Sequence, residues 1–254
     1  GLFDIQKYIT IHNLNNAVLV NSTDGVGTKT DLVLDILGEE KGLRSLGKDI
    51  VGHSVNDIAV MGATPLYFLD YVASSKINSN NIQYLLEGMS EACRENNVAI
   101  LGGETAEMPG VYRDGKYDIV GTITGIVESN KMIKGKELVR EGDVIMGLRS
   151  SGPHTNGYSL VRKLIGEYLN QHPNLTLDEN LSLGGCNISD LIAPHRSYYS
   201  EIRGMLDENI DIHALCHITG GGYSENIPRV LPEELGVELN VPIVEPFATL
   251  QKLG

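Results

Sequence analysis

The sequence is short of cysteine, of long apolar runs and of positive charge, and each shortage argues against a class of protein. Its three cysteines, Cys93, Cys186 and Cys216, are far apart and form no CxxC pair. This spacing argues against a zinc or redox motif and favours buried thiols in a reducing compartment, so we expect a cytoplasmic protein. No apolar run approaches the roughly 20 residues of a membrane helix, so we predict no membrane span.

The charge balance is strongly acidic. The 254 residues carry 33 acidic and 20 basic side chains, which gives a formal net charge of −13. A chain of this charge repels nucleic acid and anionic membrane surfaces, so we predict neither as a partner. An anionic small molecule is not excluded, because glycine loops and metal ions create local positive fields.

Glycine, in contrast, is abundant: its 29 copies cluster in short loops beside acids, His, Asn and Thr. This placement is more typical of ligand handling than of flexible linkers. Between the loops, apolar patterns predict alternating strands and helices, which indicates an α/β fold of the α+β type. Strands are predicted over 17–23, 66–74, 98–103, 117–128, 144–150 and 212–218, and helices over 41–63, 79–96, 155–170 and 190–209.

The elements fall into two groups along the chain. A charged, turn-rich segment at 129–143 separates them, and the length suits two domains. We therefore predict two α/β domains, 1–135 and 136–254.

The loop "DGVGTK" at 24–29 follows a predicted strand. Backbone amides of its glycines would suit a phosphate, and Lys29 would add a positive charge. Asp24 would instead suit magnesium. A tight turn with a solvated lysine explains this motif equally well.

Three polar side chains share one face of the helix predicted over 41–63. His53, Asn56 and Asp57 are spaced i, i+3 and i+4, with Asp49 one turn earlier, opposite the apolar face. A polar face is usually only solvated, yet this one lacks the Lys/Glu mixture of a solvent face. The oxygens of Asn56 and Asp57 suit magnesium better than zinc, whereas a single His53 is more often a helper or a core residue.

The segment "GGETAEMPG" at 102–110 places Glu104 just past a predicted strand end. Ligands commonly bind at strand ends in α/β proteins. We predict that Glu104 and Thr105 contact a metal or a substrate, with Glu107 a weaker candidate. The alternative is a loop of solvated acids.

The loop "SSGPHTNGYSL" at 150–160 places His154 and Asn156 just ahead of a predicted helix. Exposed backbone amides at such a position favour an anion. Capping of the helix by Thr155 or Asn156 is the alternative, and it can coexist with binding.

The loop "HITGGGYSEN" at 217–226 places His217 at a predicted strand end, followed by three glycines. Close approach of a ligand to the backbone would explain the glycines, and a bulge is the alternative. The remaining histidines have no comparable setting, and we predict structural roles for them: His12, His172, His195 and His213.

Together these loops resemble one family. The segments "DGVGTK", "GKDIVGHSVNDIAVMGATPLYFLDY", "GGETAEMPGVY", "SSGPHTNGYSLVRK" and "HITGGGYSENIPRVLP" follow the order found in phosphoribosylformylglycinamidine cyclo-ligases, also called aminoimidazole ribonucleotide synthetases. They span residues 24 to 232, and five such segments in order are highly specific. "GGETAEMPG" and "HITGGGYSENIPRVLP" favour this family over others with the same ATP-binding plan, such as thiamine-monophosphate kinase.

The resemblance implies an ATP-dependent enzyme of de novo purine biosynthesis. ATP would phosphorylate the formyl amide oxygen of formylglycinamidine ribonucleotide, and an amidine nitrogen would then close the imidazole ring as phosphate leaves. The products would be aminoimidazole ribonucleotide, ADP and phosphate. Mg²⁺ would accompany ATP, because phosphoryl transfer needs positive charge to offset the developing negative charge.

The resemblance also implies roles for individual residues. The site for ATP and its phosphates would comprise Asp24, Gly25, Gly27, Thr28, Lys29, Asn56, Asp57, Glu104 and Thr105. Of these, Asp24, Asp57 and Glu104 would bind the metal. The substrate region would comprise Gly152, His154, Asn156, Gly220, Gly221 and Gly222. His154 and His217 would be the catalytic acid–base groups.

In the family, strands of the first domain pair across a two-fold axis into a barrel, and ATP binds near the dimer interface. We therefore expect a homodimer with the strand at 66–74 in its interface. The family has a glycine-rich nucleotide loop before the segment that matches "GLFDI", and further strands and a helix after the segment that matches "FATLQKLG". We expect the chain to lack both, so that the second domain is incomplete at its C-terminal end.

Two alternatives are open at this point. In the first alternative to a cyclo-ligase, the chain is another ATP-using phosphoryl-transfer enzyme of the same superfamily with a different acceptor. In the second, it is an inactive truncated fragment. The fragment would bind nucleotide or dimerise without turnover.

Overall fold

A four-stranded sheet organises the first half of the chain. The computed structural model describes residues 1–253, and its strands are β1 (Ala17–Gly25), β2 (Thr64–Ser74), β3 (Ala99–Glu107) and β4 (Tyr117–Glu128). They lie in the order β1-β4-β2-β3, with β2 and β3 parallel and the other two pairings antiparallel. The sheet and its covering helices confirm the predicted mixed α/β fold.

Two long helices cover one face of this sheet. The helices are α1 (Ile5–Ile11), α2 (Lys29–Ala59), α3 (Ser79–Glu95), α4 (Gly135–Leu138), α5 (Tyr158–Gln171), α6 (Ile188–Ile192), α7 (Tyr199–Asp207), α8 (Gly222–Asn226) and α9 (Phe247–Leu253), with a 3₁₀ turn at Ile227–Val230. Helix α2 packs on β4 and β1, and α3 packs on α2. The core between them is built from buried side chains that include Leu46, Ile50, Phe68, Val72 and Ile123. None of the helices in residues 1–253 combines the length and hydropathy that a bilayer crossing requires.

Helix α2 begins earlier than the pattern predicts. It runs from Lys29 to Ala59, with one non-helical residue at Gly38 (φ 71°, ψ −176°). Leu32 and Val33, both buried, extend the apolar face on the N-terminal side of this interruption. Glycine adopts a positive φ at little cost, so the two helical segments change direction there.

Strand β3 runs past the end predicted at residue 103, so Glu104 and Thr105 lie on a strand and not in a loop. The backbone of 102–107 pairs in parallel with 69–74 of β2. The pattern misses this extension because "GGETAE" has no apolar alternation, whereas the pairing is made by backbone groups.

The prediction of two strands after residue 140 is wrong. Residues 144–150 and 212–218 form no strand, and no described residue pairs with them in a ladder. Their apolar pattern predicts burial, yet Val144 is 86% and Met146 is 80% exposed. A strand requires hydrogen bonds to a neighbouring strand, and within residues 1–253 neither segment has one.

The helix predicted over 190–209 is divided. Helix α6 ends at Ile192 and α7 begins at Tyr199, with Pro194 between them. Proline has no N–H donor, and its ring clashes with the preceding helical turn. The irregular segment 193–198 that results carries residues of the site described below.

Two glycines allow α2 and α3 to cross closely. Gly47 of α2 faces the backbone of Leu85, and Gly88 of α3 faces that of Arg44. A Cβ at either glycine would overlap the opposing carbonyl oxygen. Such a crossing brings the helix axes together and tightens the packing of the core side chains on both sides.

Gly88→Ala is expected to destabilise the fold by about 1–3 kcal/mol, because the added methyl forces the two helices apart. The matched control is Gly166→Ala in α5, where nothing lies within 4 Å of an added Cβ. That change is expected to be neutral or to stabilise by up to about 1 kcal/mol, since alanine favours helix over glycine. Urea unfolding measures both variants, and equal stability changes would contradict the close crossing.

Candidate active site

The polar face of α2 is buried against the second half of the chain. Asp49, His53 and Asn56 are 0%, 2% and 2% exposed, and the Asp57 side chain is 20% exposed. Each of the four makes a hydrogen bond to a residue between 155 and 217. The face predicted from helical spacing is therefore a junction between the two halves and not a solvated surface.

Two carboxylates converge on His53. Asp24 Oδ2, at the end of β1, lies 2.9 Å from His53 Nε2, and Asp57 Oδ2 lies 3.5 Å from the same nitrogen. Neither contact has the direction of a hydrogen bond, so the buried nitrogen is held between the two acids by charge. Ser22 Oγ donates to Asp57 Oδ2 at 2.7 Å and orients that carboxylate. Two of the three predicted metal ligands, Asp24 and Asp57, therefore lie together.

The predicted acid–base histidines lie beside these carboxylates. His217 Nδ1 is 2.8 Å from Asp57 Oδ1, and His217 Nε2 is 3.3 Å from Nε2 of His195. The His195 ring stacks on that of His154, with centroids 4.0 Å apart and planes 15° apart. The structure thus brings His154 and His217 together, with a third imidazole between them.

His195 is a site residue that the sequence reasoning missed. The sequence predicts a structural role for it, but its ring is 3% exposed and contacts both predicted catalytic histidines. Thr155 Oγ1 joins His195 Nδ1 (3.1 Å) to His53 Nδ1 (2.7 Å). No periodicity marks this position, because His195 lies in the irregular segment after Pro194 and its partners are distant in sequence.

Burial keeps two of these imidazoles neutral. It lowers the pKa of His154 to about 3 and sets the pKa of His195 well below its usual value. Burial also works against the charged form of His53, yet the contacts with Asp24 and Asp57 prevail and raise its pKa. The contact with His53 lowers the pKa of Asp24. The site therefore places two neutral imidazoles next to a third imidazole whose protonation is favoured by two acids.

The side chain of Lys29 points into the protein interior. Its Nζ donates to Asp49 Oδ1 at 2.7 Å and to the carbonyl oxygen of Ala193 at 2.7 Å, and both side chains of the ion pair are fully buried. Burial lowers the pKa of Lys29 and raises that of Asp49, while the ion pair opposes both shifts. The ammonium group ties the start of α2 to the second half, and its predicted contact with phosphate stays a prediction.

The amide of Asn56 closes the same junction. Its Nδ2 donates to the carbonyl oxygen of Arg196 at 2.8 Å, and its Oδ1 accepts from the backbone N–H of Tyr198 at 2.9 Å. Both ends of the amide are therefore engaged in holding the segment 193–198. A contact of Asn56 with ATP stays a prediction.

Glu104 and Thr105 lie apart from Asp24 and Asp57. The sheet register aligns Glu104 with Gly25, the residue after Asp24, across three strand spacings. This separation is about 14 Å, and because successive residues alternate between faces, Glu104 and Asp24 point to opposite sides of the sheet. Within one chain the structure does not bring Glu104 to the other two acids, and a metal shared by all three stays a prediction.

Two glycine loops of the second half lie close to neighbouring segments. Gly152 has φ 157°, and a Cβ there would overlap the carbonyl oxygen of Asp190. Gly220 faces Asn156, whose Oδ1 would lie 3.2 Å from an added Cβ. Gly221 and Gly222 form the start of α8. The structure thus places Asn156 against the triple-glycine loop, and a shared substrate region there stays a prediction.

The predicted phosphate loop faces the start of α5. Thr28 Oγ1 lies 3.4 Å from Ser159 Oγ, and α5 begins at Tyr158. Gly27 has φ 67° with open space beside it, and Gly25 is the last residue of β1. The N-terminus of a 14-residue helix and a glycine turn therefore lie side by side, an arrangement that favours an anion.

Comparison with known proteins identifies the family. The N-terminal domain of AIR synthase related proteins matches residues 9–127, and the C-terminal domain of the same proteins matches residues 140–253. The phosphoribosylformylglycinamidine cyclo-ligase of Clostridium botulinum (strain Okra / Type B1) is 42% identical over 257 residues, and that of Exiguobacterium sibiricum is 43% identical over 258 residues. The chain belongs to the phosphoribosylformylglycinamidine cyclo-ligase family. This confirms the resemblance carried by the five loops.

The chain is fully covered by both cyclo-ligases and spans 71% of the length of each. Among solved structures, hydrogenase maturation protein HypE in complex with ATP is 22% identical, with a TM-score of 0.51 over 78% of this chain and 50% of that one. Escherichia coli HypE is 16% identical, with a TM-score of 0.50 over 81% of this chain and 54% of that one. At these identities the HypE structures show a shared fold.

In His154→Asn, the free energy of unfolding is expected to decrease less as the pH falls below 6.5. The folded-state pKa of His154 is about 3 against an ordinary value of 6.5, so below about pH 6.5 the unfolded chain binds more protons than the folded one. This histidine therefore lowers stability as pH falls from 6.5 towards 3, by up to about 2 kcal/mol at pH 5. Asparagine also tolerates the positive φ of 58° at this position.

Urea unfolding at pH 7.5 and pH 5.0 measures the difference. His172→Asn, at an exposed histidine, is the control and is expected to follow the parent chain. If His154→Asn lost as much stability as the parent between the two pH values, the neutral buried state of His154 would be wrong.

Proposed function

We propose that the chain catalyses the ATP-dependent ring closure of formylglycinamidine ribonucleotide to aminoimidazole ribonucleotide, with release of ADP and phosphate. Membership of the cyclo-ligase family supports this reaction. The structural observation that carries it is the 2.8 Å contact between Asp57 and His217, which joins a proposed metal carboxylate to a proposed acid–base group. Phosphoryl transfer and proton transfer then occur within one site.

Asp24 and Asp57 would hold the Mg²⁺ that accompanies ATP. Carboxylate oxygens are the ligands that Mg²⁺ prefers, and the two acids come together around His53 Nε2. Asp24 is 49% exposed and can therefore meet an incoming ion. When bound, the ion would neutralise charge that develops on the transferred phosphoryl group.

The histidines would handle the proton of ring closure. The attacking amidine nitrogen loses a proton as the imidazole forms, and a neutral imidazole can accept it. Burial lowers the pKa of His154 to about 3, which makes that ring a weak base, whereas Asp57 holds the ring of His217 through Nδ1. A carboxylate in contact with one imidazole nitrogen orients the ring and fixes its tautomer.

ATP as the phosphoryl donor is supported by two observations. HypE, which shares the fold, has been solved in complex with ATP. In this chain the glycine turn at 24–29 lies beside the N-terminus of α5, where backbone amides can face phosphate oxygens. We therefore propose that the phosphates lie between the end of β1 and the start of α5.

A cytoplasmic location is part of the proposal. Cys93 and Cys186 are free and buried, and Cys216 is free and partly buried. Burial raises the pKa of Cys93 to about 12, which keeps that thiol protonated. Free thiols of this kind suit a reducing compartment.

Substrate-dependent ADP release from ATP and Mg²⁺ tests the reaction. We expect ADP to form only when formylglycinamidine ribonucleotide is present, with aminoimidazole ribonucleotide in equal amount. The assay is run on this chain and on a chain extended to the length of its relatives. ADP release with a different acceptor, and none with formylglycinamidine ribonucleotide, would indicate another phosphoryl-transfer enzyme.

An ATP titration in the presence of Mg²⁺ tests the proposed metal carboxylates through Asp57→Asn. This variant is expected to weaken Mg²⁺-dependent ATP binding at least tenfold, because a neutral amide is a poorer magnesium ligand. Asp35→Asn, at an exposed position on the same helix, is the matched control and should bind ATP like the parent chain. An unchanged ATP titration in Asp57→Asn would remove that residue from the metal site.

We also propose that the open face of the sheet forms a homodimer interface. Phe68 and Val72 of β2 point to the helices and are fully buried. On the opposite face, Leu69 of β2 is 36% and Leu19 of β1 is 50% exposed. Apolar side chains on an open sheet face are usually covered by another surface, and the family resemblance indicates the same face of a second copy.

Leu69→Asp is expected to convert the dimer into a monomer, because a carboxylate in the centre of the interface is left without a partner. Size-exclusion chromatography with light scattering gives the mass. The control is Leu160→Asp on α5, where the side chain is 59% exposed on the second half of the chain. A dimer that persists in Leu69→Asp, or a monomeric parent chain, would contradict this interface.

A further inference from the structure

Five side chains at the junction form a closed circuit of contacts. It runs from Asp57 Oδ1 to His217 Nδ1 (2.8 Å), and from His217 Nε2 to His195 Nε2 (3.3 Å). It continues from His195 Nδ1 to Thr155 Oγ1 (3.1 Å), from Thr155 Oγ1 to His53 Nδ1 (2.7 Å), and from His53 Nε2 back to Asp57 Oδ2 (3.5 Å). The circuit connects the carboxylate end of the site to His217, one of the two proposed acid–base groups.

The donor and acceptor roles in this circuit follow from the chemistry of each group. An ionised carboxylate only accepts, so Nδ1 of His217 carries a hydrogen, and Nε2 of the neutral ring then carries the lone pair. His195 Nε2 must then donate in the contact with His217, which leaves His195 Nδ1 to accept from the Thr155 hydroxyl. The Thr155 oxygen in turn accepts from the Nδ1–H of His53. The four hydrogen bonds of the circuit, from Asp57 Oδ1 through to His53 Nδ1, are satisfied by one set of tautomers, with His195 neutral.

His195 is itself held rigidly. Its backbone N–H donates to Asp49 Oδ1 at 2.7 Å, which fixes its main chain to α2. Its ring stacks on His154 and is 3% exposed. A donor held in this way can define the direction of the lone pair that it contacts.

We propose that His195 is a positioning residue for His217. The Nε2–H of His195 donates to His217 Nε2 and holds the His217 imidazole in one orientation until substrate replaces His195 as the partner of that nitrogen. The hydrogen bonds through Thr155 to His53 fix the position of the His195 ring relative to the carboxylates. The importance of His195 for turnover rests on the proposed function, in which His217 is an acid–base group. The hydrogen bond itself does not depend on that function.

Two amide variants separate the two ring nitrogens of His195. In His195→Gln the side-chain amide reaches the position of Nε2 and keeps a donor to His217. In His195→Asn the shorter amide reaches only the position of Nδ1, so it keeps the contact with Thr155 and loses the donor to His217. A role in packing alone predicts that both variants behave alike.

The direct readout is ¹⁵N NMR of histidine-labelled protein at pH 7.5 without metal, with the His217 signals assigned by their loss in His217→Gln. We expect the unprotonated Nε2 of His217 to show the shift of a hydrogen-bonded acceptor in the parent chain and in His195→Gln. In His195→Asn the signal should move to the shift of a free imidazole nitrogen or broaden. Thr155→Val, which removes the hydroxyl behind His195, should move it in the same direction.

The kinetic readout is substrate-dependent ADP release. In His195→Asn we expect kcat to fall about tenfold with KM for ATP unchanged within about twofold, and in His195→Gln we expect kcat to stay within about threefold of the parent. An unmoved His217 signal in both His195→Asn and Thr155→Val would overturn the proposal, as would equal losses of kcat in the two amide variants. A parent chain that releases no ADP would overturn the proposed function, while the NMR result still decides the role of His195.

Discussion

The buried ion pair between Lys29 and Asp49 is the constraint on which the rest of the site depends. Both charges are fully buried, so each is stable in the folded chain only while the other is in place. Removing one partner from such a pair typically costs about 3–5 kcal/mol, because the remaining charge has no compensation. The pair also accepts the backbone N–H of His195 and donates to the carbonyl of Ala193. The start of α2, its middle turn and the segment 193–198 are therefore fixed to one another at one point.

Around this point a single helix supplies the groups that different parts of the chemistry need. Helix α2 presents Asp49 for the ion pair, His53 and Asp57 for the acidic centre, and Asn56 for the segment after Pro194. Because these side chains lie on successive turns of one rigid element, their spacing is set by helix geometry and not by loops. The second half contributes the neutral imidazoles, and burial at the junction keeps them neutral. The carboxylates of α2 and the imidazoles of the second half thus lie in contact without sharing an element.

Much of this arrangement could be predicted from the sequence, and the failures have physical causes. The face of His53, Asn56 and Asp57 is a local pattern with a helical period, so spacing alone located it. The strand at 117–128 was likewise predicted, because its long β-branched run leaves no competing structure. His195 was missed because its partners are brought to it by tertiary packing, which no local period reports.

The strands after residue 140 show the opposite failure. Apolar residues in 144–150 and 212–218 carry a strand pattern, but a pattern specifies a strand only when a neighbour supplies the hydrogen bonds. The position of Glu104 depends on a backbone pairing that its side-chain sequence does not encode. Prediction therefore succeeded where one element determines the answer and failed where two elements must meet.

The circuit of histidines has a consequence for how the enzyme comes into being. Its contacts close over long sequence separations, 102 residues between His53 and Thr155 and 160 between Asp57 and His217. Contacts between residues so far apart in sequence are entropically expensive to form early, so we expect them to form late in folding. Asp24 and Asp57 both lie in the first 60 residues, and their convergence on His53 needs only the first half of the chain. We therefore expect the two acids to come together before the histidine circuit closes, so that a partly folded chain lacks the complete site.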